Sequence, residues 1–490
     1  MSIVLTDKQA EIYNTFFNEP DTRWILSVGG KGSAKTTVSV IILLTLFFDE
    51  RFKNSQILIA RESLRDLKNT LVSEFKKKCA EIGAKEDEVF IIKDDLQYIE
   101  NLITGTKIFY LSLSDRNQQY RSVLSYEFNV VVIDELDRIS EEAFDEVSQR
   151  MRLPHKFNKG LLNLNPVPET HWVYRKFVKN EFPQTKVIKS SSYDNYIKVK
   201  IPVHIFTSKA KPYVYDDKEY YVIDNTRYEV IGRDGEYILA KKYNLAHSFY
   251  VEMEHRNYAF KRVMLNGEWG SAYVDDGLYT STFTEANVFK GAITPKDLQY
   301  FYKPYAGLDF GFRRPAFVLL AEDEWGRLIV IDELLGENVS TIQFIDLVRK
   351  RLREKWKLDA LQVEWYGDIA GRQASQSDGV SIINRIRQEY NIDVITNKVP
   401  ILDSVGLIRE LLDKDIRNQK ALQVSPDAPI SMAGFLGEFK MDDFGKPIKD
   451  GYYDHIHDAI RYAVWGVARQ NKYNTFKVVV PEYWQINNLN

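Results

Sequence analysis

The sequence predicts an α/β protein of two domains, the first a mainly parallel sheet carrying a β-rich insertion and the second a smaller α/β unit. Three observations predict it. Trp24–Phe48, WILSVGGKGSAKTTVSVIILLTLFF, reads as a short buried strand, a glycine-rich loop and a helix too apolar for a surface. Asn129–Glu135, NVVVIDE, is a continuous apolar run closing on two acids, the pattern of a buried parallel strand. From Tyr300 onward, short strand-like runs alternate with helical patterns, and two of the strands end on aspartate.

The loop of the first stretch, Gly29, Gly30, Lys31, Gly32, Ser33, Ala34, Lys35 and Thr36, fits G-x-x-x-x-G-K-[ST] except at Ala34. Such a loop turns its backbone N–H groups onto a triphosphate, and the following helix N-terminus adds positive potential. Lys35 then reaches the β- and γ-phosphates, and the Thr36 hydroxyl holds Mg²⁺. A plain Gly/Ser turn before a core helix would look alike over eight residues. The strand before and the helix after decide for a nucleotide. Ala34 is harmless where the backbone is helical and costly where φ must be positive. Upstream, Leu5–Asn14 carries a Thr-x-x-Gln capping box, in which Gln9 is a cap or, alternatively, a side chain facing an adenine edge.

Gln56–Ala60 and Thr106–Leu113 are further strands, with a helical pattern from Arg61 to Lys78. The ends of parallel strands are where open α/β sheets place ligands. Asp134 is therefore placed to orient Mg²⁺ and Glu135 to activate the attacking water. Asn165, in the strand-like run Leu161–Pro166, could sense a γ-phosphate or simply form an Asn-Pro turn. The β-rich insertion spans about 197–249, with turns at Asp224-Asn225 and Arg233-Asp234-Gly235. We divide the chain into residues 1–255, a junction at 256–299 containing Asp275 and Asp276, a second domain at 300–470, and a tail at 471–490.

In the second domain Asp309 and Asp368 close strands, and Asp454–Gln470 is a helix with His455 and Asp458 one turn apart. Three carboxylates from separate segments meeting at strand ends are what two-metal phosphodiester cleavage requires. Oxygen-rich ligation favours Mg²⁺ or Mn²⁺ over zinc. Glu333 is a further acid, better read as a surface residue at a hairpin end.

The bulk figures bound the rest. A chain of 490 residues with 44% hydrophobic and 28% charged residues is an ordinary soluble composition. Its one cysteine, Cys79, excludes a disulfide framework and suits a reducing cytosol. The N-terminus has no basic region followed by an apolar run, and Val38–Phe48 is too short to span a bilayer. A net charge of −3 leaves nucleic-acid contact to local patches, at Lys76–Lys78, Lys198–Lys211 and Arg349–Lys357.

Taken in order, these features resemble the large terminase subunit of tailed bacteriophages, a P-loop packaging ATPase (ASCE/RecA-like) joined to an RNase H-like nuclease. GGKGSAKT resembles its Walker A, VVVIDE its Walker B with the catalytic Glu, and LNLNPVPETHWVYRKF the motif that follows. SSYDN and LNGEWG resemble the close of the ATPase half, and GLDFGFRRPA, YGDIAG and DHIHDAIRYA its three nuclease motifs. The resemblance implies ATP contacts at Gly29–Thr36, Mg²⁺ at Asp134, catalysis by Glu135, coupling near Asn165 and adenine contact by Gln9. It implies nuclease metal binding by Asp309, Asp368 and Asp458, with His455 adjacent. Its implied partners are double-stranded DNA, a small terminase subunit and a procapsid portal, in a ring of five subunits that are monomers before assembly. Its implied setting is the host cytoplasm, with no membrane and no place in the mature virion. The sequence departs from the pattern at Ala34 and at Lys31, where many members carry Arg; lysine is a point charge without the guanidinium fork. The rivals are a cellular helicase–nuclease of repair or defence, and a nucleotide-gated DNA-binding protein with an inactive nuclease-like domain.

Overall fold

In the computed structural model, residues 4–155, 157–271, 276–310, 314–373, 380–442 and 445–474 are described. The chain forms two compact units, Met1–Ala272 and Tyr273–Asn490. The stretch expected as a junction is divided between them. Phe260, Val263 and Leu265 are buried in the first unit and Leu278, Tyr279 and Leu298 in the second, because both segments are apolar enough to join a core. Asp275, Gly311 and Phe312 lie outside the described residues, as does the tail beyond Asn474.

The first unit opens with a helix, α1 (Asp7–Asn18), whose N-terminus is held by the reciprocal capping box of Thr6 and Gln9. The strands are β1 (Trp24–Gly29), β2 (Gln56–Arg61), β3 (Phe90–Lys93), β4 (Tyr98–Asn101), β5 (Lys107–Ser112), β6 (Val130–Ile133), β7 (Lys159–Leu164) and β8 (Thr185–Ser190). They form one sheet in the order β3-β4-β5-β2-β6-β7-β1-β8, parallel from β5 to β8 and antiparallel at the β3-β4 edge. Both faces are covered, which is why β1, β6 and β7 are buried throughout. On one face lies α2 (Lys35–Phe48), with Val38, Ile42, Leu43, Leu46 and Phe47 in the core; on the other lie Phe144, Val147, Val173 and Phe177.

The stretch from 197 to 249 is a separate antiparallel sheet of β9 (Tyr196–Pro202), β10 (Lys211–Tyr215), β11 (Lys218–Ile223), β12 (Thr226–Asp234) and β13 (Tyr237–Ala246), in the order β10-β11-β12-β13-β9. At its base Arg227 and Glu254 form an ion pair with both side chains 0% exposed, bidentate at 2.5 and 3.0 Å. The hydroxyls of Tyr193 and Tyr213 also donate to Glu254, and the guanidinium lies over the rings of Tyr213, Tyr220 and Tyr250. Removing one partner leaves the other charge buried and alone. Arg227→Met is therefore expected to destabilise the first unit by about 3–5 kcal/mol in chemical denaturation, whereas Arg256→Met, at an exposed pair, should change little.

The second unit has β14 (Lys303–Asp309), β15 (Ala316–Glu322), β16 (Leu328–Leu335), β17 (Glu364–Asp368) and β18 (Val394–Asn397). With the short strand Leu422–Val424 they form a sheet in the order β18-β17-β14-β15-β16 and then 422–424. β14, β15 and β16 form an antiparallel meander, and β17 and β18 add in parallel beyond β14. The helix Tyr453–Asn474 crosses this sheet over β14. No helix among the described residues is long and apolar enough to cross a membrane.

The basic stretches are largely engaged by acids. Lys78 pairs with Glu81, Lys198 with Asp7, Lys200 with Asp234, and Arg351 and Lys355 with Asp332. Glu333 is a correction: it is 6% exposed, not a surface acid. Its carboxylate accepts the N–H groups of Ile430 and Ser431 at the start of a short helix, because β16 is covered on both faces.

Candidate nucleotide and metal sites

The strand order lays β7 between β6 and β1, so the ends of these strands surround one cleft of about 340 Å³. Residues 30–36, Arg61, Asp134, Glu135, Arg138, Asn163 and Asn165 line it. The loop is packed too tightly for larger residues. A Cβ on Gly29 would lie 2.2 Å from Ser190 Oγ, and one on Gly30 2.2 Å from the Met264 carbonyl oxygen. Gly32 has φ +72. Its carbonyl accepts Asn195 Nδ2 at 2.7 Å, and Leu245 and Phe249 occupy the space a side chain would need. Lys31 donates its N–H to Met264 O at 2.8 Å, and its carbonyl accepts Ser192 Oγ at 2.5 Å.

Lys35 begins α2 and curls back over the loop, donating to Gly29 O at 2.5 Å, Gly30 O at 3.1 Å and Ser33 Oγ at 3.2 Å. Burial pushes its ammonium down to about 8, against the pull of Asp134, Asp137 and Glu135. An anion entering the loop would offer that ammonium a better partner than these carbonyls. Ala34 sits at the N-cap of α2 with φ 63 and ψ 27, a left-handed position where an L side chain is strained. Ala34→Gly is expected to stabilise the first unit by about 0.5–1 kcal/mol in urea unfolding, strain relief outweighing the extra freedom of the unfolded chain.

Asp134 and Glu135 follow β6 directly. Ile133 pairs with Ala60 of β2 and Leu162 of β7, so the next residues along, Arg61 and Asn163, flank the two acids. Asp134 is 5% exposed, and burial raises its carboxyl; Asn163 Nδ2 approaches its Oδ1 at 3.4 Å. Glu135 is left-handed at φ 56, ψ 51. Arg61 holds it through a Nη2–Oε1 contact and a Nε–Oε2 bond of 2.9 Å, and is itself tied to Thr70 at 3.1 Å. Arg138 lies 3.5 Å from the same carboxylate, whereas Arg152 pairs with Glu127 outside the cleft. Asn165 donates its N–H to Asp137 at 3.1 Å. Gln9 is 5% exposed and already engaged. Its Oε1 accepts the Thr6 N–H at 2.9 Å and its Nε2 donates to Ala34 O at 3.3 Å, so an adenine edge must compete with both bonds.

Sequence reasoning passed over Arg61 and Asn163. The orphaned Asn163 Oδ1, buried beside Asp134 with no partner among the described residues, and the desolvated Asp134 carboxyl suit a cation. Thr36 lines the same cleft, and an oxygen-only donor set of this kind suits Mg²⁺.

In the second unit the parallel register Leu308↔Gly367 makes Asp309 and Asp368 neighbours at the ends of β14 and β17. The Phe310 ring packs on Gly367 and Gly371 and braces the second strand end. Gly307 lets the last helix come close: a Cβ there would lie 2.1 Å from Ala459 O. That contact carries His455 and Asp458 over the two aspartates. His455 Nδ1 meets Asp309 Oδ2 at 2.7 Å, a bond that raises the imidazole above its ordinary range although burial opposes it. Burial raises the Asp309 carboxyl. Asp368 accepts the Ala370 N–H at 3.2 Å. Burial raises the Tyr462 hydroxyl, and Asp458, Asp309 and Asp368 all add to the effect. A neighbouring cleft of about 570 Å³ is lined by Arg314, Glu337, Asn338, Gly451 and His455.

Among the described residues, no group of three or more His, Cys, Asp or Glu side chains is close enough to hold an ion as it stands. The chemistry of the set still fits a hard divalent cation. The donors are carboxylates, Asp454 Oδ1 is buried with no hydrogen-bond partner among the described residues, and the Lys449 ammonium already rests on Asp458.

Residues 21–232 match the sequence family of the phage terminase large subunit. No curated protein matches the chain. Similar solved structures include the following three. The large terminase of a thermophilic bacteriophage is 16% identical over 95% of this chain and 100% of that one, with a TM-score of 0.41. The large terminase of bacteriophage HK97 is 13% identical over 95% and 96%, with a TM-score of 0.38. The nuclease domain of the bacteriophage SPP1 large terminase, with bound Mn, is 26% identical over 36% of this chain and 94% of that one, with a TM-score of 0.27.

Proposed function

Since residues 21–232 carry the sequence of the phage terminase large subunit family, we propose that the chain is a viral DNA-packaging motor subunit. It hydrolyses ATP to translocate double-stranded DNA into a procapsid and cuts concatemeric DNA with a two-metal endonuclease centre. One observation carries the reading: a single chain holds both a glycine-rich loop facing Asp134 and Glu135, and Asp309 and Asp368 at neighbouring strand ends with Asp458 on the helix that crosses them.

ATP binds with its phosphates along Gly29–Thr36. Lys35 leaves the loop carbonyls for the β- and γ-phosphates, Thr36 and Asp134 would hold Mg²⁺, and Glu135 orients the attacking water and takes its proton. Before it can do so, Glu135 must let go of Arg61. Asn165 couples the γ-phosphate to movement, and Gln9 reaches the base after giving up a bond to the loop. In the second unit Asp309, Asp368 and Asp458, with His455 adjacent, would hold two Mg²⁺ or Mn²⁺ ions. Such ions, when bound, stabilise charge developing on the attacking and leaving oxygens. DNA is held mainly through phosphates, so binding is salt-sensitive and weakly sequence-specific. The working form is a head-to-tail ring of five on a portal, with a small subunit choosing the DNA, in the host cytoplasm.

The test is plasmid digestion and ATP hydrolysis by wild type, Lys35→Ala and Asp368→Ala in Mg²⁺ or Mn²⁺. Lys35→Ala is expected to lose hydrolysis and keep cutting, and Asp368→Ala the reverse. Cutting by Asp368→Ala at the wild-type level would remove the nuclease assignment and leave the ATPase alone.

A further inference from the structure

Asp458 and Asp454 in the second unit lie against cations of the chain itself, and those cations are not equivalent. Arg461 donates to Asp458 Oδ1 at 2.6 Å, is 6% exposed, and is fixed further by Ser404 at 3.2 Å. Lys449 donates to Asp458 Oδ2 and lies 3.7 Å from Asp454 Oδ2, yet its side chain is 62% exposed. It therefore reaches from solvent onto carboxylates that are themselves 4–5% exposed.

The backbone around Lys449 is anchored. Ile448 donates to Lys440 O at 2.9 Å, and the Asp450 carboxylate caps the last helix by accepting the N–H groups of Tyr452 and Tyr453. Gly451 O accepts a bond from Arg314 at 2.5 Å. On this anchored backbone the exposed lysine side chain has room to swing. Its return to water costs little, but it would leave Asp458 short of positive charge in a buried setting, a state that persists only if another cation takes the place.

We propose that Lys449 is a tethered counter-ion that competes with the divalent cation at Asp458. The centre then loads metal fully only when DNA phosphates entering the cleft draw the ammonium away. This rests on the metal-nuclease reading above and deepens it: metal loading and DNA binding are coupled through one side chain, which restrains cutting when no DNA is engaged.

The experiment is a Mn²⁺ titration of the full chain followed by electron paramagnetic resonance, with and without a short DNA duplex. The variants are Lys449→Met, which keeps the stem and removes the charge, Lys449→Arg, which keeps the charge, and Asp309→Asn as the control. Without DNA, Lys449→Met is expected to bind Mn²⁺ about tenfold more tightly than wild type, and Lys449→Arg like wild type. Duplex DNA should tighten Mn²⁺ binding to wild type and leave Lys449→Met unchanged. Equal or weaker binding by Lys449→Met, with Asp309→Asn still impaired, would overturn the proposal while sparing the metal centre. Mn²⁺ binding that is indifferent to Asp309→Asn, or absent from every variant, would sink the metal centre and the proposal with it.

Discussion

Glu135→Gln is expected to lower ATP turnover about a thousandfold while nucleotide remains bound, as general-base losses of 10²–10⁴ indicate. The glutamine has the same shape and still accepts a bond from Arg61, so the fold of the loop should survive. What it cannot do is take a proton from water. The backbone supports the assignment, because Glu135 is held left-handed at φ 56, a conformation that costs about 1–3 kcal/mol and persists only where the surroundings impose it. Here the imposing contacts are Arg61 and Arg138. Phosphate release and the binding of a fluorescent nucleotide should be read together. Turnover within tenfold of wild type would remove Glu135 from the chemistry, and loss of binding would make it a loop-shaping residue instead.

Asp309→Asn is expected to reduce plasmid cutting at least about a thousandfold, since losing a metal-holding carboxylate forfeits several kcal/mol of transition-state stabilisation. ATP hydrolysis should be unchanged, because the nucleotide loop belongs to the other unit. Stability should not fall. Burial raises the Asp309 carboxyl, so its ionised form opposes folding once the pH exceeds the unfolded value, and the neutral amide removes that cost. A variant that fails to cut and also melts early would point to misfolding, and a variant that cuts normally would exclude Asp309 from the centre.

Both candidate centres were legible where the chemistry proposed for them is local. Eight consecutive residues make the candidate phosphate loop, and two acids directly follow an apolar strand. The aspartates closing β14 and β17 were equally visible, because a strand boundary and an acid can be read together. The partners were not. Arg61 meets Glu135 only because β2 and β6 are parallel neighbours in one register, and Asn163 meets Asp134 for the same reason across β7. Periodicity reports which face a side chain occupies, not which strand lies alongside. Glu333 was misread for the same cause: an acid after a hairpin strand looks exposed until a helix start is found waiting for its carboxylate. Ala34 was left open because a one-letter code carries no φ. The β3-β4 edge was missed since its residues, FIIK and YIEN, are too short and too mixed to show a period.

The seating of the inserted sheet has a practical meaning for anyone who would trim or tag it. Its first residue is preceded by Asn195, which bonds Gly32, and its last strand carries Asn244 and Leu245; Asn244 donates to Asn195 at 2.9 Å and Leu245 packs on Gly32. Both stems therefore stand on the phosphate loop, and the tip, Asp234-Gly235, is the part with room to spare. A peptide spliced at the tip is tolerable by this geometry. An excision across the stems takes away two supports of Gly32 and would be mistaken for damage to the loop itself.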